Sequence, residues 1–103
     1  MIKMSVLYPK QDGGRFDMDY FLKVHIPMVQ EKLGAACKSV AVEEGMSGVM
    51  PGTPPTYCVL CHLGFESVEK FQSAFAQHAN ALMADIPNYT SLQPVIQIGE
   101  VKM

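Results

Sequence analysis

The sequence predicts a single α+β domain, residues 1–103, in which two helices cover one face of a four-stranded antiparallel sheet. The length of 103 residues suits one hydrophobic core and leaves little chain for a second. Four segments carry the alternation or apolar character of strands, and two longer segments have apolar residues at helical spacing. Because right-handed crossovers join the strands, the order strand–helix–strand, repeated twice, places both helices on the same side of the sheet.

The first predicted strand runs from Ile2 to Tyr8, where apolar and mostly polar positions alternate. A turn with Asp12-Gly13-Gly14 follows. Asp17 is a good N-cap for the first helix, and Phe16 before it can pack on Phe21 as a hydrophobic staple. The sequence therefore predicts a helix that begins directly after Asp17.

The apolar row of this helix has helical spacing and consists of Met18, Leu22, Ile26, Val29 and Leu33. Phe21, His25 and Met28 lie beside the row, and Gly34 is expected to end the helix.

The second half of the fold begins with a half-polar segment, Cys37 to Met46, which we interpret as an edge strand. The segment from Gly45 to Pro55 is rich in glycine, proline and methionine and is predicted to be a loop. Its Met46 and Met50 could cover an apolar ligand as a lid. Thr56 to Phe65 is nearly all apolar and is predicted to be a central strand.

Ser67 is the predicted cap of the second helix, which ends by Ile86 because Pro87 follows. The apolar row of this helix is Val68, Phe71, Phe75, His78 or Ala79, and Leu82. Pro94 to Lys102 is the fourth predicted strand. The complete order is that of the ferredoxin-like split βαβ motif, βαββαβ, whose first and third strands occupy the centre of the sheet.

The third strand is apolar on both faces. Val59, Cys61 and Leu63 point to one side, and Cys58, Leu60 and His62 point to the other. Since two helices can cover only one face, the other is predicted to be an interface. We therefore expect a homodimer that packs sheet against sheet into an α/β barrel and buries more than about 2,000 Å².

The charge and the cysteines exclude several functions. A net charge of −2 without a basic run argues against a nucleic acid or an anionic membrane as partner. Three cysteines without an export signal favour reduced thiols and a cytoplasmic location. The run Cys58-Val-Leu-Cys61-His62 matches the c-type haem attachment pattern, but residues three apart in a strand face opposite sides, so we reject that reading.

His25 is the strongest candidate for chemistry. It lies on the sheet-facing side of the first helix, two residues before Pro27, whose missing N–H costs a helix interior roughly 3 kcal/mol. Imidazole changes its protonation near neutral pH, which suits proton abstraction beside a carbonyl group without a metal or other cofactor. The alternative is a structural histidine that is bonded to a backbone carbonyl.

Four other residues are candidates for the same cleft. Asp85 could orient His25 as a catalytic partner, or could merely end the second helix. Tyr8 could donate its hydroxyl to a ligand, or could be a core residue with a polar tip. His78 and Tyr89 are candidate ligand contacts, with a rim histidine and a loop anchor as the alternatives. Phe21 is the expected apolar contact beside His25.

Several of these residues form a pattern that resembles a known family. The pattern consists of Phe16-x-x-x-Tyr20-x-x-x-x-His25-x-Pro27, then Phe71-x-x-x-Phe75, then Asp85-Ile-Pro-Asn88-Tyr-Thr90, and finally Gln93-Pro-Val-Ile-Gln-Ile98. It closely resembles EthD-domain proteins of the dimeric α/β barrel superfamily, over nearly the whole chain.

The resemblance implies a ferredoxin-like protomer that dimerises through its sheet. The EthD type member is associated with bacterial degradation of ethyl tert-butyl ether beside an oxygenase system. Wider relatives include polyketide cyclases, muconolactone isomerases and haem-degrading monooxygenases, whose ligands lie between helices and sheet. The resemblance therefore implies that His25, Tyr8, His78 and Asp85 lie near a pocket.

Three functions follow as hypotheses. The first is a cofactor-independent enzyme that acts on an apolar carbonyl metabolite, such as a lactone, a quinone or a polyketide-like intermediate, in a catabolic or xenobiotic-degrading pathway. In it, His25 transfers the proton and Asp85 orients the imidazole. The second is a non-catalytic protein that binds a small hydrophobic ligand or supports an oxygenase system. The third is a haem- or flavin-coupled monooxygenase with His25 or His78 as axial ligand.

Overall fold

A computed structural model describes all residues from 1 to 103. In chain order the elements are β1 (Ile2–Pro9), α1 (Met18–Tyr20), a π-helical segment (Phe21–His25), α2 (Ile26–Leu33), a 3₁₀ turn (Gly34–Ala36), β2 (Ser39–Glu44), β3 (Tyr57–Phe65), α3 (Val68–Ala84), α4 (Ile86–Tyr89) and β4 (Val95–Glu100). The predicted order of strands and long helices is confirmed. Both edge strands are shorter than predicted, and a short helix, α4, follows α3 where we expected a loop.

The sheet is antiparallel throughout and has the strand order β2-β3-β1-β4. The prediction that the first and third strands are central is therefore confirmed, and the fold is ferredoxin-like. Alternate residues of β3, among them Val59, Cys61 and Leu63, are buried under the helices. Cys58, Leu60 and His62 on the opposite face are only partly buried.

The first long helix, residues 18–33, begins as the sequence predicts. The Asp17 side chain accepts a hydrogen bond from the Tyr20 backbone N–H, and the rings of Phe16 and Phe21 lie 5.1 Å apart. Gly34 ends α2 with a φ of +59°, which favours glycine.

The helix is not regular in its middle. The N–H of Ile26 bonds to the carbonyl of Phe21, five residues back, which is the wide turn of a π-helix. One consequence is that neighbouring residues, His25 and Ile26, both face the core. The predicted apolar row is wrong at Leu22, which is 47% exposed, because Phe21 and His25 take the inward positions at this turn.

The second long helix, α3, begins at the predicted cap, where Ser67 accepts a hydrogen bond from the Lys70 backbone N–H. It ends at Ala84, and Pro87 then occupies the first turn of α4, where a missing N–H is tolerated. Asp85 lies at the break between these two helices. No helix of the protein has both the length and the apolar character that a bilayer crossing requires.

Backbone hydrogen bonds tie the end of α4 to the start of the first helix. The N–H of Asp17 donates to the carbonyl of Tyr89, and the N–H of Ser91 donates to the carbonyl of Arg15. The Thr90 hydroxyl also donates to the Arg15 carbonyl. These contacts hold the end of α4 against the start of the first helix.

Candidate active site

A cavity lies between the helices and the covered face of the sheet. It is lined by Met4, Val6, Tyr8, Phe21, His25, Ile26, Val29, Cys61, Leu63, Phe75, Leu82, Met83, Ile86, Tyr89 and Ile96. All of these residues except His25 are hydrophobic. The cavity volume is about 50 Å³, which is room for roughly three or four water molecules. Met83 and Ile96 are the most exposed of the lining residues, at 46% and 38%.

His25, at the end of the π-helical segment, is 7% exposed. Its ring stacks on Phe21 with the centroids 5.5 Å apart, and it lies 4.6 Å from the ring of Tyr89. Its Nδ1 lies 2.8 Å from Oδ2 of Asp85. The predicted partnership of His25 with Asp85 is therefore present as a direct contact between two largely buried side chains.

Asp85 is bound on both carboxylate oxygens. Its Oδ1 accepts hydrogen bonds from the Tyr20 hydroxyl at 2.7 Å and from the Asn88 amide at 2.9 Å, while Oδ2 faces His25. Burial by itself would raise the pKa of Asp85, but the hydrogen bonds from Asn88, Tyr20 and His25 outweigh it and lower the pKa. Asp85 is therefore ionised at neutral pH.

An ionised carboxylate only accepts hydrogen bonds, so Nδ1 of His25 carries the proton in the contact with Asp85. In the neutral ring, Nε2 then has a free lone pair. Nε2 makes no hydrogen bond within the protein, and no fully buried side-chain nitrogen lacks a partner, so Nε2 has accessible surface. The arrangement can accept a proton at Nε2 while Asp85 stabilises the imidazolium that forms.

A second polar contact in the cavity joins two tyrosines. The hydroxyls of Tyr8 and Tyr89 lie 2.6 Å apart, and both side chains are almost completely buried. Burial raises the pKa of Tyr8 to about 12 and also raises the pKa of Tyr89, where the hydrogen bond to Tyr8 adds to the effect. Both phenols are therefore protonated at neutral pH, and one of them donates to the other.

The structure brings most of the sequence-predicted residues together. Tyr8, Phe21, His25 and Tyr89 line the cavity, and Asp85 stands directly behind His25. His78 is half-buried on α3 and does not line the cavity. The loop methionines also lie outside the lining: Met46 is 91% exposed and Met50 is 66% exposed.

Tyr20, which donates a hydrogen bond to the Asp85 carboxylate, is a site residue that the sequence did not predict. Tyr20 lies five residues before His25. Residues at that spacing lie on the same side of a helix only where a π-helical turn occurs, so a regular helical period does not place Tyr20 beside His25. The sequence also did not predict Met83 and Ile96, because rim residues of a cavity depend on how far α3 lies from β4.

No group of three or more His, Cys, Asp or Glu side chains is arranged to hold a metal ion. Cys58 and Cys61, which match the haem attachment spacing, are free thiols in strand β3, with Cys61 buried and Cys58 on the opposite face. His25 is the single imidazole in the cavity lining.

The fold and the cavity together define a class: a small ferredoxin-like protein with a buried His–Asp pair in an apolar helix–sheet cavity. The sequence profile of the EthD domain matches residues 15–93, and the chain belongs to this family. No curated protein matches it significantly.

Solved structures agree with this assignment. The chain is 41% identical to an EthD-like protein from Ralstonia eutropha, with a TM-score of 0.94 and with 99% of this chain and 92% of that one covered. An ethyl tert-butyl ether D (EthD) family protein from Bacillus halodurans is 16% identical, with a TM-score of 0.68 and 99% of each chain covered. A dimeric ferredoxin-like protein of unknown function from Bacteroides fragilis is 14% identical, with a TM-score of 0.58 and coverage of 97% and 95%. The latter two likenesses concern the fold alone.

Proposed function

We propose that the protein is a cofactor-independent enzyme that transfers a proton on a small apolar carbonyl compound. The observation that carries this proposal is the contact between His25 and the ionised Asp85 in a cavity whose other lining residues are hydrophobic. A lactone, a quinone or a polyketide-like intermediate fits such a lining. We assign the reaction to a catabolic pathway, such as the degradation of xenobiotic ethers, because the family is named after ethyl tert-butyl ether.

The proposed reaction begins with removal of a proton from the carbon next to the carbonyl group. Nε2 of His25 accepts that proton, and the electron pair of the broken C–H bond moves to form an enolate. Asp85 stabilises the imidazolium, and an O–H group of the tyrosine pair faces the enolate oxygen. Return of the proton from Nε2 to a different carbon of a conjugated enolate completes an isomerisation.

The test measures exchange of the substrate proton with solvent, so no product has to be known in advance. The purified protein is incubated in D₂O with a panel of small apolar lactones and 1,3-diketones, and deuterium uptake beside the carbonyl is followed by ¹H NMR. We expect His25→Gln to slow exchange by about 100- to 10,000-fold, the usual contribution of a general base. Glutamine retains an N–H donor for Asp85 but accepts no proton, so the fold is preserved.

The matched control is His78→Gln, which removes an imidazole that lies outside the cavity lining. This variant should exchange deuterium at the wild-type rate. Equal exchange by wild type and His25→Gln, or no exchange above the buffer rate with any compound of the panel, would contradict the proposal.

A second candidate is a non-catalytic protein that binds a hydrophobic ligand. It is favoured by the wholly hydrophobic lining around His25, with the His25–Asp85 contact then joining the first helix to the α3–α4 junction. Binding of an apolar compound that persists in His25→Gln, with no deuterium uptake in either protein, would favour it.

We further propose a homodimer that forms through the open face of the sheet, as the Bacteroides fragilis protein is described as dimeric. Leu60 pairs with Leu7, and Leu7 pairs with Val95, so three apolar side chains lie side by side across this face.

The three cysteines are free, and Cys61 is buried as a thiol whose pKa burial raises to about 12. Free thiols support a cytoplasmic location.

A further inference from the structure

We infer that the hydroxyl pair of Tyr8 and Tyr89 is a binding site for one oxygen atom of the ligand, and that it selects compounds that present an enolate, phenolate or carbonyl oxygen. The inference deepens the proposed function, since it names the group that the site recognises opposite His25. It starts from the 2.6 Å contact between the two hydroxyl oxygens.

The number of protons in this contact leaves one donor free. Each phenol has one O–H, and a hydrogen bond between the two oxygens uses only one of them. The hydroxyl that accepts this bond retains its own proton, and no other protein acceptor bonds to either oxygen. An unpaired O–H donor therefore remains on one of two residues that line the cavity, and we infer that a ligand oxygen accepts it.

The surroundings favour an anionic oxygen at this position. Tyr8 is 2% exposed and Tyr89 is fully buried, so the pair is shielded from bulk solvent. A hydrogen bond to a charged acceptor is stronger than a neutral one, and the hydrogen bond between the two tyrosines polarises the donor further. The raised pKa values of both phenols keep them protonated, so the pair donates and does not repel the anion.

The pair also lies next to the proposed base. The ring of Tyr89 is 4.6 Å from the ring of His25, and its hydroxyl contacts that of Tyr8. The Asp85 carboxylate does not bind either hydroxyl of the pair, and its hydrogen bonds are with Tyr20, Asn88 and His25. The site thus offers a proton acceptor and an oxyanion donor on neighbouring rings.

The test measures binding of 4-nitrophenolate at a pH at which this probe is ionised in water, so that His25 need not take its proton. Dissociation constants are determined by titration calorimetry for wild type and for the double variant Tyr8→Phe/Tyr89→Phe. We expect the double variant to bind the phenolate at least about tenfold more weakly, because a hydrogen bond to a charged group is lost. It removes both partners of the pair, so no hydroxyl is left unsatisfied and the fold is retained.

Two controls make the result specific. Tyr57→Phe removes a phenol that does not line the cavity and should leave phenolate binding unchanged. 4-Nitrotoluene, with nearly the same shape but no ionisable oxygen, should bind equally to wild type and to the double variant. Phenolate binding that is equal in both proteins, or absent from wild type, would overturn the inference.

The outcome is independent of the deuterium experiment. Phenolate binding could depend on the tyrosine pair while deuterium exchange does not depend on His25. That result would support the oxygen-binding site and reject the proposed reaction. Alternatively, exchange could depend on His25 while the double variant binds phenolate as well as wild type does. That result would support the proposed reaction and reject the tyrosine pair as an oxygen-binding site.

Discussion

Asp85 is the residue on which the site depends most. It lies where α3 ends and α4 begins, so its side chain is free of the regular helix surface and reaches three donors from two parts of the chain. Tyr20 and Asn88 hold Oδ1, which fixes the plane of the carboxylate and directs Oδ2 to His25. A fixed carboxylate sets the ring orientation and the tautomer of its histidine, which is the role that such residues have in general-base sites.

The lowered pKa of Asp85 has a consequence for stability. A carboxyl group whose pKa is lower in the folded than in the unfolded protein stabilises the fold above its ordinary pKa of 3.8, and this contribution is lost as the pH falls through that value and below. We expect Asp85→Asn to be less stable than wild type by about 1–2 kcal/mol at pH 7, with the difference shrinking as the pH falls below about 4.

Urea unfolding of both proteins between pH 7 and pH 3 measures this difference. Asp12→Asn is the control, since Asp12 lies in an exposed turn and contacts neither His25 nor Tyr20. A wild-type advantage over Asp85→Asn that stays constant down to pH 3 would be inconsistent with a carboxylate held by these donors.

The first helix shows how an element can accommodate two unfavourable residues. Pro27 has no N–H, and its ring would clash with a carbonyl of the preceding turn in a regular α-helix. The wide turn of the π-helical segment displaces that turn, so Pro27 falls in the first turn of α2, where proline is tolerated. The same wide turn directs His25 inward beside Ile26. Proline and histidine are thus explained by one irregularity, and π-helical turns often occur at functional sites.

The end of this helix gives a prediction about stability. Gly34 has a φ of +59° and a ψ of −141°, a conformation that side chains disfavour, although no atom lies within 4 Å of where a Cβ would be. We expect Gly34→Ala to lower the free energy of unfolding by about 1–3 kcal/mol through backbone strain alone.

Gly99→Ala is the matched control for this change. Gly99 also has open space at its Cβ position but has no positive φ. Its substitution should change the free energy of unfolding, measured with urea, by less than about 0.5 kcal/mol. Equal effects at both glycines would mean that backbone strain at Gly34 does not determine how α2 ends.

At the scale of the whole molecule, the two faces of the sheet differ in how far they are buried. The helices cover the face that carries Val59, Cys61 and Leu63, whereas Leu60 lies on the opposite face and is only partly buried. We expect Leu60→Arg to raise the dissociation constant of the proposed homodimer by at least about 100-fold, because an unpaired charge in an apolar interface costs several kcal/mol.

Sedimentation velocity at micromolar concentration measures this effect. Leu22→Arg is the control, because Leu22 is an exposed leucine on the first helix, away from the sheet face. Sedimentation of wild type as a lone protomer, or of Leu60→Arg as a stable dimer, would contradict the proposed interface.

Local signals in the sequence predicted the fold well and the site in part. The caps at Asp17 and Ser67 and the stop at Gly34 depend on side chains a few residues away, and all three were predicted. The prediction failed at Leu22, because an ordinary helical period does not include a π-helical turn. It placed Asn88 and Tyr89 in a loop, because proline normally ends a helix, whereas Pro87 here begins α4.

The sequence alone determined the order of the elements and their caps, because these follow from periodicity and from interactions within one or two turns. Only the tertiary structure decided which side chains meet. His25 and Asp85 are 60 residues apart, and Tyr8 and Tyr89 are 81 apart. Their contacts arise because the crossover connections lay both helices over the same strands and because backbone bonds tie the end of α4 to the start of the first helix.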